Sequence, residues 1–173
     1  HSRLLIDLNR GIMDPTLISS ISHGIKISKN DKLSSEDKKF RINEVYNNYH
    51  DKIYKIIKRE KINLIISLHS FNPYYKKKKR NIKFGILSNS DRRYSDIIIE
   101  ILTKKGYRVG DNQPYEGNLI GDTMHRHGLR NGIPHTLIEI RNDLLKSSKN
   151  ISDISNVLFK VIRSSKQKVR KYL

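Results

Sequence analysis

The sequence contains no cysteine and no tryptophan, and only two methionines and four prolines in 173 residues. Without cysteine there is no disulfide framework, no thiolate metal site and no cysteine nucleophile. Any metal would be held by His, Asp and Glu. No apolar run is long enough to span a bilayer and no signal peptide is visible, so no membrane partner is expected and a cytoplasmic location follows. Acids are scarce as well: 17 Asp and Glu against 35 Lys and Arg leave a formal net charge of +18 at pH 7. Such a balance suits nucleic acid or another anionic surface. The plainer explanation is a Lys-, Ile- and Asn-rich proteome in which lysine replaces neutral surface residues. The cations are scattered, apart from the run Lys76-Lys77-Lys78-Lys79-Arg80 behind Tyr74-Tyr75 and a basic patch over 166–171. Aromatics beside a basic run could stack on bases, yet no nucleic-acid-binding motif accompanies them, and the plainer explanation is preferred.

What is present is hydrophobic patterning of the α/β kind. The length suits one domain, 1–173, with a sizeable core. Residues 3–8 read as a strand closed by Arg10-Gly11, and 14–33 as a long loop rich in Ser, Gly, Asn and Lys. Ser34 or Ser35 can cap a helix whose apolar face runs from Phe40 to Ile57, about six turns. Leu64-Ile65-Ile66-Ser67-Leu68 is a short apolar run that reads as a buried strand, with His69 at its exit before Asn72-Pro73. Further strands are expected over 83–87, briefly at 107–109, and over 136–140. A helix begins at Ser90-Asp91 and ends near Gly106, and a closing helix spans Ile151 to Ile162. Residues 110–135 form a polar, glycine-rich loop carrying His125, His127 and His135. Strands alternating with helices give an α/β fold with a mostly parallel or mixed sheet between helices.

Three stretches could carry chemistry. His69 stands where an α/β sheet places functional groups, at the carboxyl edge. Glu139 lies between Ile138 and Ile140, so it faces away from them, and a carboxylate on an apolar strand is costly unless paired or beside a metal. It reads as a general base or as the ion-pair partner of Arg141 on the same strand face. Arg3 and Arg10 bracket the first predicted strand, with Asn9 beside Arg10. Guanidinium groups grip carboxylates bidentately, so a small acidic substrate would suit them, as would a plain role as surface cations. His69 is the best zinc-ligand candidate, while His125 and His127 are two apart in a loop. His50 reads as a structural or surface histidine, and His1 and His23 weigh little. There is no His-Glu-x-x-His, phosphate loop or nucleophile elbow.

Taken in order, Ser2-Arg3-Leu4-Leu5-Ile6-Asp7-Leu8-Asn9-Arg10, Ser22-His23-Gly24, Tyr49-His50, His69-Ser70-Phe71-Asn72-Pro73, Gly85-Ile86-Leu87, Val109 to Tyr115, Arg126-His127 and Ile138-Glu139-Ile140-Arg141-Asn142-Asp143-Leu144 resemble the N-formylglutamate amidohydrolase family. The resemblance implies a three-layer, carboxypeptidase-like fold and zinc-dependent hydrolysis of the formamide C–N bond of N-formylglutamate or a similar N-acyl acidic amino acid. It implies Zn2+ as cofactor with His69 as a ligand, and Glu139 as general acid/base. Asn9 and Arg10 would hold the substrate carboxylate with Arg3 and Arg141 nearby, and His127 and Tyr115 would sit in the loop that closes over it. The family's first zinc motif precedes its first strand. The resemblance therefore implies either a piece of a longer protein or a relative without its metal. The competing expectations are an inactive basic relative that binds RNA or an assembly partner, and a binding module for a small dicarboxylate.

Overall fold

The computed structural model describes residues 2–22 and 24–172. His1 and His23 lie outside the described residues. The chain divides into two compact units, residues 2–62 with 119–131, and residues 63–118 with 132–172.

The first unit corrects the expectation of a strand at 3–8, which is a series of turns. The reason is Asp7. Its carboxylate accepts from Arg3 Nη2 at 2.6 Å and from the Asn9 backbone N–H at 3.1 Å, while its own N–H donates to the Leu17 carbonyl. An Asp that captures a backbone donor two residues on bends the chain into an Asx-turn instead of a strand. Ile6, Leu17 and Tyr46 form this unit's core, each at most 1% exposed. The segment 14–33 is largely irregular, as expected, apart from a small hairpin, β1 (Ile21–Ser22) with β2 (Ile25–Lys26), and one helical turn, α1 (Ser28–Asp31). A long helical stretch follows: α2 (Ser35–Arg41), a π-helical segment Ile42–Asn47, and α3 (Asn48–Arg59). Ser34 caps it, its Oγ accepting from the Asp37 N–H at 3.0 Å, with Glu36 and Asp37 in the first turn where the helix dipole favours acids. Residues 119–131, expected as loop, instead contain a π-helical turn Met124–Gly128 and a 3-10 turn Leu129–Asn131.

The second unit holds a four-stranded sheet. Its strands are β3 (Ile65–Phe71), β6 (Phe84–Leu87), β7 (Val109–Asp111) and β8 (His135–Arg141), with a hairpin β4 (Tyr74–Tyr75) and β5 (Lys78–Lys79) outside it. The order β3-β8-β6-β7 is mixed: β8 runs parallel to β3 and antiparallel to β6, and β6 runs parallel to β7. All seven residues of β8 are buried, as a central strand should be. The apolar run at 64–68 is therefore not a buried strand but an edge strand, with Leu68 57% exposed. His69 is paired inside it and does not stand at its exit.

Helices α4 (Ser95–Lys104) and α5 (Ser148–Val169) pack on one face of the sheet, and α5 extends several residues beyond the expected 151–162 at both ends. Phe84, Ile86, Ile138 and Ile140 project to that face and meet Ile98, Leu102, Leu158 and Val161. Each such fully buried side chain contributes roughly 1.5–3 kcal/mol relative to exposure. Tyr94, fully buried just before α4, hydrogen-bonds Ser165 on α5 at 2.8 Å. The strand alternation then puts His69, Glu139 and Gly85 side by side on the opposite face, in register with one another.

The β4–β5 hairpin was not anticipated. Its two-residue loop, Lys76-Lys77, has φ of +44° and +65°. Two-residue hairpin loops with positive φ at both central positions match strand twist best, and Asn-Gly normally supplies them. A lysine there costs about 1–2 kcal/mol.

Candidate functional site

In the second unit, β3 and β8 lie side by side in register, and His69 is the direct partner of Glu139. His69 Nδ1 is 3.9 Å from Glu139 Oε1, and the two side chains are 26% and 6% exposed. A buried acid thus faces a half-open imidazole. Gly85 is the third member of this row. A Cβ on residue 85 would overlap the Gln113 carbonyl oxygen and come within 3.2 Å of the Glu139 Cβ. The absence of a side chain therefore lets the 113 backbone close down beside the acid.

Arg141, two residues along β8, turns to Asp143 (Nε to Oδ1, 2.7 Å) and to the carbonyls of Arg80 and Ile82. Burial would raise the Asp143 carboxyl, but the bond from Arg141, with Arg141 and Lys79 as nearby cations, holds it below its ordinary value. Arg141 thus ties the strand end to residues 80–82. Tyr115 is 46% exposed, and the Arg80 guanidinium lies 5.5 Å from its ring centre.

The first unit holds Arg3, Asn9, Arg10 and His127. Arg3 is engaged by Asp7. Arg10 bonds Thr16 through Nε (3.1 Å) and the Asn9 carbonyl through Nη1 (3.2 Å), with Asp7 and Asp14 each 3.9 Å away. Its Nη2 has no hydrogen-bond partner among the described residues, which leaves one edge of the guanidinium for an anion. Asn9 Oδ1 accepts the Thr123 N–H at 3.3 Å.

The same unit contains an array that the sequence reading did not assemble. His50 and His127, far apart in sequence, stack with Nδ1 of one 2.9 Å from Nε2 of the other. Tyr46 packs edge-on against His50, bonds the Arg10 carbonyl through its hydroxyl at 2.7 Å, and receives Arg126 Nη2 at 3.2 Å. Both π-helical turns feed this array, one supplying Tyr46 and the other Arg126 and His127. Such turns recur at functional sites because the extra residue re-aims side chains. Burial, then Arg126 and His127, push the His50 imidazole down to about 3, and burial with Arg126 lowers His127 too. The Leu8 carbonyl opposes this weakly without completing a hydrogen bond to His50 Nε2. Both rings are thus neutral at pH 7, one donating and one accepting. His50 is the structural histidine of the two possibilities, 3% exposed. The signal was available in part: Tyr46 and His50 are one helical turn apart on the apolar stripe. Nothing local pointed to residue 127 as the partner.

Because the folded state binds His50's proton only near pH 3 whereas an unfolded chain binds it near 6.5, stability falls as pH drops through that window. From pH 7.5 to 5.0, above most carboxylate titrations, urea unfolding should lose about 1–2 kcal/mol, and His50→Asn should flatten the slope. An unchanged slope in that variant would mean that other groups carry the pH dependence.

A mixed α/β sheet that sets a buried carboxylate beside an imidazole is the kind of framework hydrolases use. The chain matches the model of the N-formylglutamate amidohydrolase family over residues 1–146, and it belongs to that family. A crystal structure of a gene product from Agrobacterium tumefaciens superposes with a TM-score of 0.91 at 26% identity, covering 97% of this chain and 69% of that one. The N-formylglutamate amidohydrolase of Ralstonia eutropha JMP134 shares the fold, with a TM-score of 0.69 at 20% identity over 99% of this chain and 76% of that one. No curated protein matched the chain.

A catalytic zinc takes about three protein ligands. Among the described residues no group of three His, Asp or Glu is gathered to hold a metal. The described residues therefore do not make a complete zinc site. No helix among them is long and apolar enough to cross a membrane.

Proposed function

We propose that the chain hydrolyses the formamide C–N bond of N-formylglutamate or a similar N-acyl acidic amino acid. The observation that carries this reading is the in-register His69–Glu139 pair on the sheet face opposite α4 and α5, in a chain of this family. Glu139 would take a proton from the attacking water and deliver it to the departing nitrogen. The water oxygen joins the formyl carbon, the C–N bond breaks, and formate and the free amino acid leave. His69 orients Glu139 or takes part in binding the metal that the family resemblance implies. Zn2+ would need ligands beyond His69 and Glu139. Asn9 and Arg10 would hold the substrate carboxylate, with Arg3 and Arg141 in support. An arginine would also stabilise the oxyanion. Tyr115 and His127 would contribute to the substrate-closing loops.

The test is formate release from N-formylglutamate, measured with and without added Zn2+, beside calorimetry with the same compound. Turnover supports the hydrolase. Heat of binding without turnover, with or without the metal, would instead establish a binding module for a small dicarboxylate.

A further inference from the structure

The catalytic reading leaves the β4–β5 hairpin unused. A cavity of about 540 Å³ lies against it, lined by Tyr75, Lys76, Lys78, Lys79, Arg80, Asn81, Ile82 and Gln113. Four of these are cations, and none is an acid. Pockets of about 300–1,000 Å³ suit ligands the size of a nucleotide.

Two of the cations, Arg80 and Lys76, are held in place. The Arg80 guanidinium lies 5.5 Å from the Tyr75 ring centre, 5.7 Å from that of Phe71 and 5.5 Å from that of Tyr115. Its Nη1 is fixed to the Asn72 carbonyl at 2.8 Å. Lys76 Nζ sits 5.6 Å from the Tyr75 ring. Aromatic faces attract cations and restrict their side chains, so less freedom is lost when an anion arrives. Lys79 is offset in part by Asp143, which leaves Lys76, Lys78 and Arg80 as the main positive groups. The lysine loop with positive φ at both positions is a further sign. Strained backbone persists where the surroundings hold it, and such strain clusters at ligand clamps.

Closely spaced cations of this kind complement a ligand whose negative charges are equally close. A single carboxylate would leave most of them uncompensated. The amides of Asn81 and Gln113 supply neutral donors and acceptors at the same cavity. We propose that the hairpin cavity binds a ligand carrying adjacent phosphate groups.

The test is calorimetry with tripolyphosphate, ATP and a single-stranded oligonucleotide at low salt on the intact chain. Lys78→Ala/Arg80→Ala should weaken the bound phosphate ligand at least tenfold, and Tyr75→Leu about threefold. A second basic, tyrosine-containing surface on α3, with Lys52, Lys55 and Lys58, serves as the control. Lys55→Ala/Lys58→Ala removes the same charge and should change affinity less than twofold. Preference for tripolyphosphate or ATP identifies a free phosphate compound, and preference for the oligonucleotide identifies a nucleic-acid backbone. Equal losses in the hairpin and α3 variants would show general attraction to a basic protein and overturn the proposal. So would no binding of any of the three ligands to the unaltered chain. Since formate release is a separate readout, failure here leaves the hydrolase reading intact, and the reverse holds.

Discussion

Replacing Glu139 by Gln should lower kcat for formate release by about 100- to 10,000-fold, the range expected when a positioned general base is removed. That corresponds to about 3–5 kcal/mol of barrier. The substitution keeps the shape of the side chain, so KM and the unfolding midpoint should move little. The expectation rests on placement. Glu139 is 5% exposed, next to His69 on one side and Gly85 on the other, on the sheet face that α4 and α5 do not cover. Activity within tenfold of the unaltered protein would remove Glu139 from the chemistry. A large fall in stability with the same loss of activity would make it a structural acid.

The second large effect is on folding. Gly85→Ala should destabilise the protein by about 3 kcal/mol, because the atom that would yield is backbone. The new methyl would overlap the Gln113 carbonyl oxygen and crowd the Glu139 Cβ. A flexible side chain could swing aside, but a carbonyl fixed in the chain moves only with its neighbours. The urea midpoint reads this directly. A midpoint unchanged from the parent would mean that the 113 segment relaxes freely and that the close approach beside the acid is not required.

The sheet was legible where burial and period agree. The strand over 136–140 announced itself because a central strand is apolar on the face that meets helices, and Ile138 and Ile140 do meet α4 and α5. The capped helix from Ser34 was legible for the same reason: cap, acids and apolar stripe agree. Residues 3–8 misled because alternation alone does not supply a neighbouring strand, and Asp7 offers the backbone a competing partner. At 64–68 the letters were apolar but the position is an edge, which only the strand order reveals. The site was legible in parts. Residues 69 and 139 are brought together by pairing that no local pattern encodes, and family resemblance supplied that link. The stacked histidines at 50 and 127 depend on two π-helical turns, and sequence period gives no warning of an inserted residue in a turn.

The place of β8 in the chain has a consequence for synthesis. It is made after β3, β6 and β7, yet it lies between β3 and β6 and pairs with both. Until residue 141 has left the ribosome, two partly apolar strands stay without the neighbour that joins them. Nascent chains in this state offer open edges to one another. Stalled or shortened translation products should thus be far more prone to clump than the finished protein, and holding chaperones should engage the chain mainly in that interval.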